Sequence, residues 1–281
     1  MKRLLVFTIV CLGAMTASAQ HNIRVSYDQL EMQLRGDTLA TSRFILVSSS
    51  HRSLYYNRMS QYVDSLTSTP EGKKTLQDIQ LAAWKVESPD GTFTLDMRRP
   101  APRKTIDLYV DKDFDTSSLS VYEKYAGEPG VYAEQFEELQ WNIIPDSTNT
   151  VLGYECLKAE TDYHGRHWTA WFSPEIPVAD GPWKLHGLPG LIMKAETDHG
   201  ISFIATGIEM TDTAVPSVYQ TEKYSKMDRR KALAEEEYFR NNYTSSLSAQ
   251  GVKVANADGT AYEAPKFIRD KHALETDYDN R

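Results

Sequence analysis

Three histidines and two aspartates crowd two short stretches of this chain. Asp162, His164 and His167 fall in TDYHGRH, and Asp198 and His199 fall in TDHG. Imidazole and carboxylate together suit zinc, copper or nickel, and Glu160 and Glu196 stand just before the two groups. Two adjoining turn tips that brought these side chains together would make a metal-binding protein or a metal-dependent hydrolase. Solvation is the competing explanation, because histidine and aspartate also gather at turn tips with no ligand to hold. The spacing of these five residues matches no fixed ligand pattern.

Other chemistries find less support. Cys156 and His167 could imitate a thiol–imidazole pair, but the hairpin register below separates them by about six positions at roughly 3.3 Å each, too far for proton transfer. The chain has no G-x-S-x-G elbow and no H-E-x-x-H helix, and Ser48-Ser49-Ser50-His51 resembles a catalytic set in composition only. A phosphate loop needs Gly-Lys followed by Ser or Thr. Here Lys184 precedes Leu185, and Pro182 and Pro189 lack the N–H a cradle would use. What remains is aromatic. Trp141, Trp168, Trp171 and Trp183 concentrate around the central strands, and on a curved sheet they could line a face for an apolar ligand. Their ordinary role would be to make the core.

The elements that must position these residues are mostly strands. NIRVSYDQLEMQL and TSRFILVS alternate with period two and flank Arg35-Gly36-Asp37, which predicts an opening hairpin. Residues 56–83 switch to helical spacing, broken at Thr69-Pro70-Glu71-Gly72, and predict one or two inserted helices. FTLDMRR, KTIDLYV and the long VYAEQFEELQWNII read as further strands.

GYECLKAETDYHGRHWTAWF folds as a hairpin with His164-Gly165 at its tip. Its pairs are Tyr163 with Arg166, Asp162 with His167, Thr161 with Trp168, and Leu157 with Phe172. One face then collects Leu157, Ala159, Trp168, Ala170 and Phe172. The other collects Cys156, Lys158, Glu160, Asp162, His167, Thr169 and Trp171. GLIMKAETDHGISFIATG is a second hairpin with its tip near His199, on the same end of the sheet. The link over residues 173–190 is expected at the opposite end. SKMDRRKALAEEEYFRNNY, residues 225–243, predicts a helix with Ser225 as N-cap.

The expected fold is mainly β: one large, curved antiparallel meander sheet with inserted helices near 56–83 and a C-terminal helix near 225–243. Residues 20–248 form a single β-rich domain. Residues 249–281 are a polar, loosely ordered tail.

Location is written at the start. Lys2 and Arg3 precede the apolar run LLVFTIVCLGAM, which ends in Ala17-Ser18-Ala19. This pattern predicts a signal peptide over residues 1–19 and export to the periplasm or beyond. Cys11 follows Val10 inside the apolar run, so the pattern is not that of a lipoprotein. No transmembrane segment is expected after cleavage. The net charge of −8 grows more negative once Lys2 and Arg3 are removed, which argues against nucleic acid as a partner. Cys156 is then the one cysteine left, so no internal disulfide staples the fold.

The run GPWKLHGLPGLI remains, with its Gly181, Pro182, Trp183, Gly187, Leu188, Pro189, Gly190, Leu191 and Ile192. It reads as a crossover that turns the chain and launches a core strand. Together with GYECLKA and GRHWTAWFSPEIP, it resembles the GLPGLI family, exported proteins of the Porphyromonas-gingivalis type in Bacteroidota. The resemblance implies an exported, β-rich protein from a Gram-negative source; it brings no activity, ligand or cofactor. The sequence thus points to a non-catalytic binding or accessory protein of the cell envelope, serving an apolar small molecule or a protein partner. The hairpin-tip metal site is the alternative.

Overall fold

The computed structural model describes residues 22–33, 39–256, 258–260 and 262–278. The expected signal peptide and the turn at Arg35-Gly36-Asp37 lie outside them. The fold is mainly β, with one large twelve-stranded sheet, a separate two-stranded sheet and four helices.

Two meanders make the large sheet. The first runs through β1 (Asn22–Met32), β2 (Leu39–Ser48), β3 (Arg52–Asn57), β6 (Tyr109–Asp113), β7 (Ser118–Tyr125) and β8 (Glu128–Gln135). Between β3 and β6 the chain inserts α1 (Arg58–Thr67), α2 (Pro70–Trp84) and the small hairpin of β4 (Lys85–Glu87) and β5 (Phe93–Leu95). Asn57 caps α1 by accepting from the amides of Met59 and Ser60, and Thr69 caps α2 ahead of Pro70 at its first position. The second meander runs through β9 (Asn142–Val151), β10 (Tyr154–Tyr163), β11 (Arg166–Ser173), β12 (Leu191–Thr197) and β13 (Ser202–Thr211), which pairs with β1.

After β13 the chain adds β14 (Ser225–Lys226), α3 (Arg229–Ala249) and the short α4 (Arg269–His272). The sheet is mixed because β14 joins β8 in parallel; every other pairing is antiparallel. Ser225, expected to cap the helix, lies in β14 instead, and Asp228 caps α3 by accepting from the Lys231 amide. The predicted long strand over 131–144 is two strands, β8 and β9, with residues 136–141 between them.

That split reveals the shape of the sheet. β8 and β9 stand ten inter-strand gaps apart in the order of the sheet, about 48 Å on a flat sheet at ~4.8 Å per gap. Seven Cα steps from Gln135 to Asn142 reach at most about 25 Å. The sheet must therefore curl strongly, although its ladder does not close. Bulges between Ser26 and Tyr27, between Leu157 and Lys158, and between Trp171 and Phe172 supply local bends.

The 173–190 link fills the hollow. Trp183, Leu185 and Leu188 are buried in the main core with Val25, Phe44, Trp168 and Phe203. The Tyr27 hydroxyl of β1 donates to the Ile192 carbonyl at 2.7 Å. A Cβ on Gly190 would stand 2.2 Å from the Ser173 carbonyl oxygen, so only glycine lets the chain re-enter the sheet there. A smaller core of Ile45, Val47, Leu54, Tyr56, Tyr109 and Val218 covers the other face, which is why β2 is buried on both sides from Phe44 to Ser48.

The first hairpin of the second meander has the expected register, from Leu157 opposite Phe172 to Tyr163 opposite Arg166. The face of Cys156 differs. The bulge beside Leu157 turns Cys156 fully into the core and leaves Leu157 half-buried.

Candidate ligand cavity

The charged centre of the molecule lies where the sequence shows a turn. Lys184 is 0% exposed in a segment that folds on itself: Leu185 donates its amide to the Pro182 carbonyl at 3.1 Å, and Gly187 donates to Ala179 at 3.1 Å. Lys112, also buried, holds this loop from β6 by pairing with Asp180 and donating to the Gly181 and Leu185 carbonyls at 2.8 and 3.2 Å. The loop thereby keeps the Lys184 ammonium away from water. Such a charge persists only where partners replace its hydration.

Those partners come from distant parts of the chain. Lys184 pairs with Glu134 of β8 and, at 2.6 Å, with Glu275 of the C-terminal tail. Arg229, the first residue of α3, joins the same carboxylates. It reaches Glu275 at 2.6 Å, Asp277 at 2.7 Å and Glu134 at 3.1 Å. The Tyr132 hydroxyl donates to Glu275 at 2.9 Å. His164, at the hairpin tip, places Nδ1 3.3 Å from Asp277 and Nε2 3.3 Å from the Lys184 ammonium. Burial alone would raise both tail carboxyls, but their charged and hydrogen-bonding neighbours win: Lys184 above all holds Glu275 below the ordinary carboxylate value, and His164 and Arg229 hold Asp277 far below it.

The network fastens the tail. Thr276 donates its amide to the His164 carbonyl and its hydroxyl to the Gly165 carbonyl, both at 2.9 Å. Arg166, buried beside it, donates to the carbonyls of Asp270 at 2.7 Å, Arg269 at 3.0 Å and Ala273. Gly165 has a positive φ of 74°, and a Cβ there would stand 2.2 Å from the Thr276 hydroxyl. Within the stretch expected to be polar and loosely ordered, Glu275 and Tyr278 are buried. Polarity there marks ion pairs and capped carbonyls.

Between the concave sheet, α3 and the fastened tail lies a cavity of about 870 Å³. Phe44, Val121, Tyr125, Tyr132 and Trp183 contribute aromatic and apolar wall. Leu233 and Phe239 enter from α3, and Phe267, Leu274 and Tyr278 enter from the tail. Polar groups converge on it too, including Gln29, Glu31, Glu123 and the Arg240–Glu236 pair at 2.6 Å. Its size falls in the range of small-molecule sites, and its lining is more polar than theirs.

The residues expected to carry function are distributed otherwise. Of the four tryptophans, Trp183 lines the cavity. Trp168 is buried in the core against Phe203 and Trp183, at ring separations of 5.8 and 5.5 Å. Trp141 is half-buried and donates to the His186 carbonyl at 2.9 Å. Trp171 lies half-buried on the opposite face of β11 from Trp168. These four rings do not share one groove.

The expected metal ligands separate as well. His167 and Asp162 form an exposed pair at 2.7 Å, and His199 lies 3.6 Å from Asp198 at the other tip. His164 alone turns inward. Its expected distance from the link is overturned, because the 173–190 segment folds back through the hollow to bring Lys184 against it. Among the described residues, the one metal-like group is His164, Glu275 and Asp277, with ligand atoms within 4.8 Å of one another. Lys184 and Arg229 already neutralise its two carboxylates, so a dication there would meet two fixed positive charges. Cys156 is buried, and burial pushes its thiol up to about 11, which makes it a poor nucleophile.

Sequence reading missed Glu134, Arg229, Glu275 and Asp277, and it treated Lys184 as part of a turn. The one available signal was a lysine inside an otherwise apolar, glycine-rich run.

Fold and site together define a mainly-β protein with a curled open sheet, an internal loop and a half-open cavity bordered on one side by residues 262–278. Residues 160–194 match the model of a family described as a protein of unknown function (Porph_ging), a stretch from the middle of β10 into β12 that includes GLPGLI. No curated protein matches the chain. Two solved structures, titled "Structure of PNGF-II in C2 space group" and "Structure of PNGF-II in P21 space group", are similar at TM-score 0.47 and 11% identity. Each comparison covers 78% of this chain, and 33% and 34% of theirs. The chain thus spans about a third of the length of those structures. Among the described residues, no helix is long and apolar enough to cross a membrane.

Proposed function

We propose that this chain is an exported, non-catalytic binding protein of the cell envelope, and that its ligand is a small molecule with an apolar body held in the cavity. The observation that carries this reading is the cavity itself: about 870 Å³, walled by aromatic rings and sealed on one side by a tail that an ion network fastens. The charged, then apolar N-terminus with Ala17-Ser18-Ala19 supports export, and the resemblance to the GLPGLI family on residues 153–192 agrees with it.

The test is a neutral apolar dye. N-phenyl-1-naphthylamine added to the full chain should gain emission in a saturable manner. The Leu233→Trp variant, which places a larger ring in the cavity from α3, should lower that gain at least about ten-fold, the loss of roughly 1.4 kcal/mol of binding. Absence of saturable emission from the wild type, or equal emission from the variant, would overturn the reading.

A further inference from the structure

The charged groups around the cavity are unevenly matched. Each lysine or arginine on its wall is engaged by a carboxylate: Lys104 by Asp64 and Asp107, Lys124 by Asp107, and Arg240 by Glu236. Glu275 and Glu237 are satisfied in turn, by Lys184 and Arg229 and by Arg269 and Tyr278. Two carboxylates are left over. Among the described residues, Glu123 of β7 lines the cavity with no hydrogen bond or ion pair, and Glu31 of β1 receives the Gln29 amide alone, at 3.2 Å. A third acceptor waits beside them. The Tyr125 side chain is 2% exposed and lines the same cavity, and among the described residues its hydroxyl has no partner at full hydrogen-bond distance, the Tyr132 side chain standing just beyond. The Tyr125 hydroxyl is buried, where an unmatched polar group is costly, and it shares one space with two half-buried carboxylates that keep acceptor capacity to spare.

We infer that the cavity binds a primary alkylammonium ligand, with its ammonium among Glu123, Glu31 and the Tyr125 hydroxyl and its alkyl body against the aromatic wall. This rests on the cavity reading above and names the ligand's chemical class. An ammonium has three N–H donors for three acceptors. The Tyr125 ring favours a cation over a neutral head, whereas Tyr132 and Trp183 already face the Lys184 ammonium at 4.8 and 5.5 Å. A carboxylate ligand would meet like charge from Glu31 and could not draw the proton from Glu123.

The groups facing Glu123 are Arg240 and Glu236 from α3, Glu275 from the tail and Glu31 from β1. With burial dominant and Arg240 only partly offsetting it, the Glu123 carboxyl is pushed up to about 8. An entering ammonium must therefore release its proton, so binding and proton release are linked.

The experiment titrates the full chain with octylammonium chloride, 1-octanol and octanoate by calorimetry at pH 7, in two buffers of different ionisation enthalpy. Octylammonium is expected to bind at least about ten-fold more tightly than octanol, as a charge-assisted hydrogen bond implies. It should release up to about one proton per ligand. Glu123→Gln should lose that ten-fold preference and the proton release, while an unchanged far-UV circular dichroism spectrum and a cooperative melting transition show that the variant is folded. Equal binding of octylammonium and octanol, or tighter binding of octanoate, would overturn the ammonium assignment and leave the cavity reading standing. Failure of all three ligands to bind would overturn both.

Discussion

Replacing Lys184 with methionine is expected to destabilise the protein by about 3–5 kcal/mol, the usual cost of removing one partner from a buried charge network. For a chain of this size that lowers the melting temperature by roughly 10 °C. Methionine fills nearly the same volume, so packing of Trp183 and Tyr132 around the stem changes little. The loss comes from Glu134 and Glu275, whose negative charges remain while the ammonium that faced both of them is gone. Denaturant unfolding of the two proteins reads the difference directly. If the cost is uncompensated charge, adding Glu134→Gln and Glu275→Gln to Lys184→Met recovers much of it. If Lys184 serves only as bulk, the triple variant is no more stable than the single one.

Glu275→Gln is expected to cost about 3 kcal/mol at neutral pH, with a pH dependence that identifies the cause. The carboxyl of Glu275 is lower in the folded protein than its ordinary 4.5, burial notwithstanding, because Lys184, His164 and Arg229 surround it. A depressed acid contributes stability that is fully present above its unfolded value and disappears as pH falls through the folded value. The gap between wild type and Glu275→Gln should therefore hold steady above about pH 4.5 and narrow in stronger acid. Hydrogen exchange localises the event: amides of residues 269–278 should lose protection first in the variant, since Glu275 is the buried anchor of that segment. A gap independent of pH would mean that the shape of Glu275 matters and its charge does not.

Much of the sheet was legible in the sequence because alternation fixes register. Placing Trp168 on the core face of its strand determines the pairing of Asp162 with His167 and of Leu157 with Phe172. The bulge at Leu157 was not legible. Two residues opposite one leave no mark in a simple alternation, which alone places Cys156 on the face away from the core. The curl of the sheet was hidden in the connection 136–141, whose alternating Leu139 and Trp141 continue a strand-like pattern.

The site was less legible still, for an energetic reason. A lone lysine in a turn is normally solvated, so Lys184 reads as surface unless its anions are known. Those anions stand at positions 134 and 275, in a strand and in a tail whose polarity looks like solvation. The histidines show the reverse error. His167 and His199 are exposed beside single aspartates, while His164 owes its burial to Thr276 and Asp277, which arrive from the far end of the chain.

The central claim is that a small molecule enters the space bounded by the sheet, α3 and the tail, and Trp183 is the one tryptophan on its wall. The most direct test is indole 15N NMR of the full chain during titration with 1-octanol, with Trp183 assigned through Trp183→Phe. The account predicts a saturable shift of the Trp183 indole while those of Trp84 and Trp171 stay in place. A shift at Trp171 with Trp183 unmoved, or no shift at any indole up to the solubility limit of octanol, would contradict it.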